Sequence, residues 1–207
     1  MYPAGFCHFA ALAPHTLALV EPQGRHWSRG ELCREVSRLC LGLKRQGVAA
    51  GERLALALEN SAEAITLGLA AQRLQCTLLA LPGQLSPAQA RAQCAEAGAT
   101  YLFTSDHHTP ASRAGQASAV RLTAVEAATS LADYDDLLAA PLLLPGSAND
   151  NDALHAIEAA REVMAPFNIR PDSGEVHYCG MSLWQDDALA RALAFLHFGH
   201  PVILEGH

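Results

Sequence analysis

Trp27-Ser28-Arg29-Gly30-Glu31-Leu32 opens a stretch that runs through Gly51-Glu52-Arg53-Leu54-Ala55-Leu56-Ala57-Leu58 and Glu59-Asn60-Ser61 to Leu78-Leu79-Ala80-Leu81-Pro82. The Ser28 hydroxyl can accept from the free N–H groups of a first helical turn, and Glu31, three residues on, completes a capping box. Leu32, Val36, Leu39, Cys40 and Leu43 then recur at helical spacing, and Gly47 is placed to end the helix. Arg53 to Leu58 is apolar after its arginine, the pattern of a strand covered on both faces. Asn60-Ser61 starts a second helix through Ile65, Leu69 and Leu74. Thr77 to Leu81 is the next buried strand, ended by Pro82-Gly83.

Upstream, Thr16 to Val20 reads as a short strand closed by Glu21-Pro22-Gln23-Gly24, with Arg25-His26-Trp27 pairing back. Downstream, Ser86-Pro87 places a cap before a proline at the first helical position, the helix runs to Gly98, and Tyr101 to Thr104 is a strand. Three strand–helix units in succession predict an α/β fold with a mostly parallel β-sheet flanked by helices, its site beyond the carboxyl ends of the strands. Residues 105–119 read as a surface connection, Val120-Arg121-Leu122 as a strand, and Ala124 to Ala140 as poorly periodic, with Asp133, Asp135 and Asp136 clustered in it. Leu142-Leu143-Leu144 is followed by Pro145-Gly146-Ser147-Ala148-Asn149-Asp150-Asn151-Asp152. A helix is expected over Ala153 to Ala165, strands at Val176 to Cys179 and Pro201 to Leu204, and a helix over Asp187 to Phe198 capped by Asp186-Asp187. The reading is one domain over residues 1–207, open to division into lobes at 1–104 and 141–207 joined by 105–140.

Half of the 207 residues are hydrophobic and 17% are charged, a globular composition. The net charge is −7 and no Lys/Arg cluster occurs, which argues against a nucleic-acid surface. No apolar run reaches the ~20 residues of a membrane span, and Met1-Tyr2-Pro3-Ala4-Gly5-Phe6 lacks the pattern of a signal peptide, so a soluble cytoplasmic protein is expected. The six cysteines, Cys7, Cys33, Cys40, Cys76, Cys94 and Cys179, hold no Cys-x-x-Cys pair and read as buried thiols of a reducing compartment.

The order of these segments resembles the opening of the adenylate-forming (AMP-binding) enzymes, the superfamily of acyl- and aryl-CoA ligases. Residues 16–104 resemble the first lobe. Pro166-Phe167-Asn168-Ile169-Arg170-Pro171-Asp172, Val176-His177-Tyr178-Cys179 and Leu196-His197-Phe198-Gly199-His200 resemble a later segment. The resemblance implies a fold like the N-terminal subdomains of acyl-CoA ligases, with a glycine-rich, lysine-bearing phosphate loop after Leu144. Gly146 and Ser147 stand there as a vestigial loop, without a lysine and beside Asp150 and Asp152, whose charge would repel phosphate. The resemblance also implies an acid-substrate pocket, with Ser182 at the usual proline, Trp184 at the aromatic and Gln185 at the histidine. Cys179 and Gly180 complete that candidate ligand pocket. The adenine-binding strand, the ribose-binding aspartate and the lobe carrying the catalytic lysine would fall beyond His207.

The resulting expectation is a catalytically incomplete relative with no cofactor and no metal, binding a protein partner, a second copy of itself, or an acyl or aryl ligand. The alternative is part of a split or residual carboxylate–CoA ligase using ATP, Mg²⁺ and coenzyme A. Other chemistry is weaker. His107-His108, and His8 beside Cys7, lack further ligands at metal spacing. His197 and His200 read as helix-end residues interacting with the dipole. Asp133, Asp135 and Asp136 lack the pattern of a calcium loop. Cys179 has no poised base in sequence. Trp184 is either a core anchor or the wall of an apolar pocket.

Overall fold

The Ser28 capping box forms as its spacing dictates: the Glu31 N–H donates to Ser28 Oγ at 3.3 Å and the Ser28 N–H donates to Glu31 Oε2 at 2.9 Å. It starts α2 (Arg29–Arg45), which closes at Gly47, whose φ of +91° suits glycine. The computed structural model describes residues 5–105, 120–127, 129–139, 150–167 and 169–206, without the side chains of 150–156. Before α2 come α1 (Phe6–Leu12), β1 (Leu17–Val20) and β2 (His26–Ser28). After it come β3 (Arg53–Ala57), α3 (Ala62–Arg73), β4 (Thr77–Leu81), α4 (Pro87–Glu96), β5 (Tyr101–Ser105) and β6 (Val120–Ala124). Then follow β7 (Thr129–Asp133), α5 (Tyr134–Leu138), α6 (Asp150–Met164), β8 (His177–Cys179), α7 (Ala188–His197) and β9 (Val202–Leu204).

The strands form two sheets, in the orders β4-β3-β5-β6-β7 and β2-β1-β9-β8. The β3–β4, β3–β5, β1–β9 and β8–β9 pairs are parallel, while β1–β2, β5–β6 and β6–β7 are antiparallel. The antiparallel end of the first sheet is built from β6, expected at Val120-Arg121-Leu122, and from β7, which lies in the segment read as poorly periodic. There, Leu122 pairs with Ala132, and α5 buries Tyr134 and Leu137. The acidic cluster is structural: the Asp133 N–H donates to Asp136 Oδ2 at 3.3 Å, and Asp133 Oδ1 lies 3.3 Å from Arg121 Nε. The second sheet draws on both ends of the described chain, since Leu19 and Val20 lie opposite Val202 and Ile203.

One buried cluster joins the sheets through α2, α3 and α7. Helix α3 is buried almost all round from Ala64 to Ala71, as the apolar majority of its sequence requires. Side chains of β3 alternate between two cores. Leu54 and Leu56 face the large cluster, while Ala55 and Ala57 face a smaller one with Ala90 and Cys94 of α4. Close approaches fix the helices. A Cβ on Gly42 would lie 2.4 Å from the Leu137 carbonyl oxygen, so α2 and α5 touch by backbone. Arg29 is buried and ties this layer to the later segment, with Nη2 2.6 Å from Asp172 Oδ1 and donating to the Gly199 carbonyl. No helix among the described residues is long and apolar enough to cross a membrane.

Candidate functional site

Parallel β3 and β4 end side by side at Ala57 and Leu81, and parallel β8 and β9 end at Cys179 and Leu204. Their carboxyl ends meet at Asn60. Its Nδ2 donates to the Met181 and Glu205 carbonyls, each at 2.9 Å, and its Oδ1 accepts the Leu183 N–H at 2.8 Å. The side chain is buried, so these bonds replace solvent and fix one sheet against the other. In sequence Asn60 reads only as a helix start. That cap is Ser61, whose Oγ accepts the Ala64 N–H.

With Leu183 held by Asn60, the turn after β8 buries the Leu183 side chain and leaves Trp184 40% exposed. The turn is closed by Gln185 N–H to Ser182 O and Ala188 N–H to Gln185 O, and it passes through Asp186 and Asp187 at φ 41° and 60°. Asp187 precedes α7 without a side-chain cap, contrary to expectation, because its left-handed backbone leads the chain into the helix. Trp184 is therefore no core anchor. It stands between two hollows and lines both.

The larger hollow, about 440 Å³, lies between β4 and α7, walled by Leu78, Leu79, Ala80, Leu183, Leu189 and Leu193, with Gln72 and Asp187 as polar points. Among the described residues its lining includes neither lysine nor arginine. The smaller, about 120 Å³, lies over the strand ends between Pro22, Glu59, Asn60, Gly83, Ser182 and Gly206. Its floor is a backbone contact: a Cβ on Gly83 would fall 2.7 Å from the Glu59 nitrogen. Among the described residues its lining holds one carboxylate, Glu59, and no lysine or arginine.

Of the expected pocket residues, Ser182 and Trp184 are brought together on the smaller hollow, while Cys179, Gly180 and Gln185 line neither. Cys179 is buried, its thiol donating to the Met181 carbonyl, and burial pushes its pKa up, which disfavours a thiolate nucleophile. Gly146, Ser147, His107 and His108 lie outside the described residues. Among the described residues no group of three or more His, Cys, Asp or Glu could hold a metal ion.

The two histidines near the end of α7 are buried rather than set on its dipole. His197 Nδ1 accepts the Phe6 N–H at 3.2 Å, and Nε2 lies 3.0 Å from Gln72 Oε1, so the ring is the neutral Nε2–H tautomer. Burial lowers its pKa to about 4. His200 is also lowered by burial, with Nδ1 3.8 Å from Glu175 Oε2. A second buried polar set sits between α2, α3 and α5. There Tyr134 Oη donates to Glu35 Oε1 at 2.6 Å and lies 2.6 Å from Thr66 Oγ1, and burial raises the Glu35 pKa.

The chain belongs to the AMP-binding enzyme family, whose model matches residues 6–171. It is similar in fold to o-succinylbenzoate CoA synthetase of Bacillus subtilis in complex with its acyl-adenylate intermediate (TM-score 0.69, 17% identity, covering 98% of this chain and 55% of that one). Similar again are the inhibitor-bound N-terminal domain of FACL13 from Mycobacterium tuberculosis (TM-score 0.70, 16% identity, 98% and 56%) and a fatty acyl CoA synthetase from the same organism (TM-score 0.69, 16% identity, 98% and 44%). The chain thus spans about half the length of these solved structures. No curated protein matches it.

Proposed function

We propose that this chain is a catalytically incomplete member of the family that binds the apolar part of an acyl or aryl ligand beside Trp184. The observation that carries this reading is the half-open hollow of about 440 Å³, set among leucine and alanine side chains beside an exposed tryptophan, with no lysine or arginine among its described lining residues. Such a lining accepts a hydrocarbon or aromatic ring and leaves a carboxylate to solvent. The reading is supported by the lack of lysine and arginine among the described residues lining either hollow, since phosphate binding calls for a cation. An assembly role is supported by the edge position of β8, where Val176 and Tyr178 are exposed.

Calorimetric titration of the full chain with decanoate and with benzoate, beside a parallel titration with ATP and Mg²⁺, tests the proposal. Binding of either acid with no heat from the nucleotide supports it. No binding of either acid refutes it. The second reading, part of a residual or split ligase, is favoured by the family match over residues 6–171. Micromolar ATP binding with acid-dependent pyrophosphate release would establish that reading and remove the first. The mass in solution tests self-association.

A further inference from the structure

Four of the six cysteines are buried, and burial raises their pKa values, Cys40 to about 12 and Cys76 to about 11. Cys7 and Cys33 break the pattern. Cys7 is exposed on α1, Cys33 is half-buried on α2, and the Cys33 thiol donates to Cys7 Sγ across 3.4 Å. The cluster has a cation. Arg73, at the end of α3, donates from Nη1 to Cys7 Sγ at 3.9 Å and is held by Ser37 Oγ at 3.0 Å. Ser37 in turn donates to the Cys33 carbonyl at 2.8 Å, so three helices converge on the two sulfurs.

We propose that Cys7 and Cys33 are a hydroperoxide-responsive thiol pair, Cys7 the attacking sulfur and Cys33 the resolving one, which closes a reversible disulfide between α1 and α2. The geometry meets the needs of each step. Cys7 is open to solvent, its sulfur receives two donors, and its partner is already in contact. The Cys33 thiol, and after it the Arg73 charge, hold the Cys7 pKa below the ordinary thiol value despite opposition from burial, which favours Cys7 as the attacking thiolate. Cys33 is shifted the other way, chiefly by donating to Cys7, and so remains a thiol.

In the first step, the Cys7 thiolate attacks one oxygen of a hydroperoxide. The O–O bond breaks, an S–O bond forms, and the second oxygen leaves with a proton as water or an alcohol. Cys33 then loses its proton and attacks the Cys7 sulfur. The S–S bond forms, the S–O bond breaks, and the hydroxyl departs as water. Two thiols are oxidised and one hydroperoxide is reduced, and an external thiol returns the pair by exchange. Because the Phe6 N–H, next to Cys7, is bonded to His197, the closed pair fastens α1 over α7 as well as α2. This inference does not depend on the ligand assigned to the Trp184 hollow.

The test uses the full wild-type chain, reduced, exposed to one equivalent of hydrogen peroxide, blocked with N-ethylmaleimide in denaturant and digested with trypsin. The expected product joins peptide 1–25 to peptide 30–34, lighter than the two free peptides together by two hydrogen atoms, with the other four cysteines recovered blocked. In Cys33→Ser the link disappears and dimedone traps Cys7 as a sulfenic acid. Arg73→Gln slows formation of the link several-fold. Recovery of Cys7 and Cys33 as free thiols while another cysteine is oxidised overturns the proposal, as does cross-linking of Cys7 only between molecules.

Discussion

Replacing Asn60 by alanine tests the joint on which the candidate site rests. The side chain makes three hydrogen bonds of 2.8–2.9 Å, to Met181, Leu183 and Glu205, from a buried position. At a net of about 1 kcal/mol each, their loss costs about 3 kcal/mol, with the stranded Leu183 N–H adding to the penalty. In urea this moves the unfolding midpoint down by about 1 M with an unchanged slope, followed by tryptophan fluorescence. Asn60→Asp refines the test. It keeps an acceptor for Leu183 but turns a carboxylate toward two carbonyls, so the folded state raises that carboxyl's pKa. A raised folded pKa means the variant is least unstable when protonated and loses stability as pH rises through and above the ordinary range of about 4. A midpoint within ~0.3 M of wild type for Asn60→Ala would refute the three bonds, and wild-type stability of Asn60→Asp at pH 7 would refute Nδ2 as the atom facing the two carbonyls.

His197 has a folded pKa of about 4, below the ordinary 6.5, so its contribution is complete above pH 6.5 and is lost as pH falls toward 4. The loss over that window is about 3 kcal/mol, and His197→Gln should flatten this part of a pH–stability curve. Gly42→Ala gains helix propensity yet drives a Cβ into the Leu137 backbone, so a net destabilisation of about 1–3 kcal/mol is expected in thermal or urea unfolding. Trp184→Ala should change stability by less than about 1 kcal/mol, given the exposure of the ring, while weakening decanoate or benzoate binding by about tenfold in calorimetry.

Local signals were legible where the physics is local. The Ser28 and Ser86 caps, the Gly47 stop and the buried strand β3 follow from neighbouring residues, and each forms as read, whereas β4, expected to be buried, forms as a sheet edge with Leu78, Leu79 and Ala80 only half-buried. The division into two sheets was not legible, because β1 and β9 carry no mark of one another. Nor were β7 and α5, where a short hairpin and a five-residue helix leave too few turns for a period to show. At the candidate site, Trp184 could be singled out by residue type, but its position between two hollows depends on Asn60, far off in sequence. Cys7 and Cys33 illustrate the same limit. Widely separated cysteines read as isolated thiols until α1 folds back across α2.

The parallel pairing of β1 with β9 has a consequence for synthesis. As the chain leaves the ribosome, the β3–β4–β5 portion can assemble from neighbours, whereas Leu19 must wait for Val202 before its open edge is covered. During that interval an unpaired apolar strand is offered to any passing chain, and closing so long a loop is slow. The nascent protein is therefore vulnerable to aggregation at β1 until β9 emerges, and a chaperone acting in that interval protects the uncovered strand.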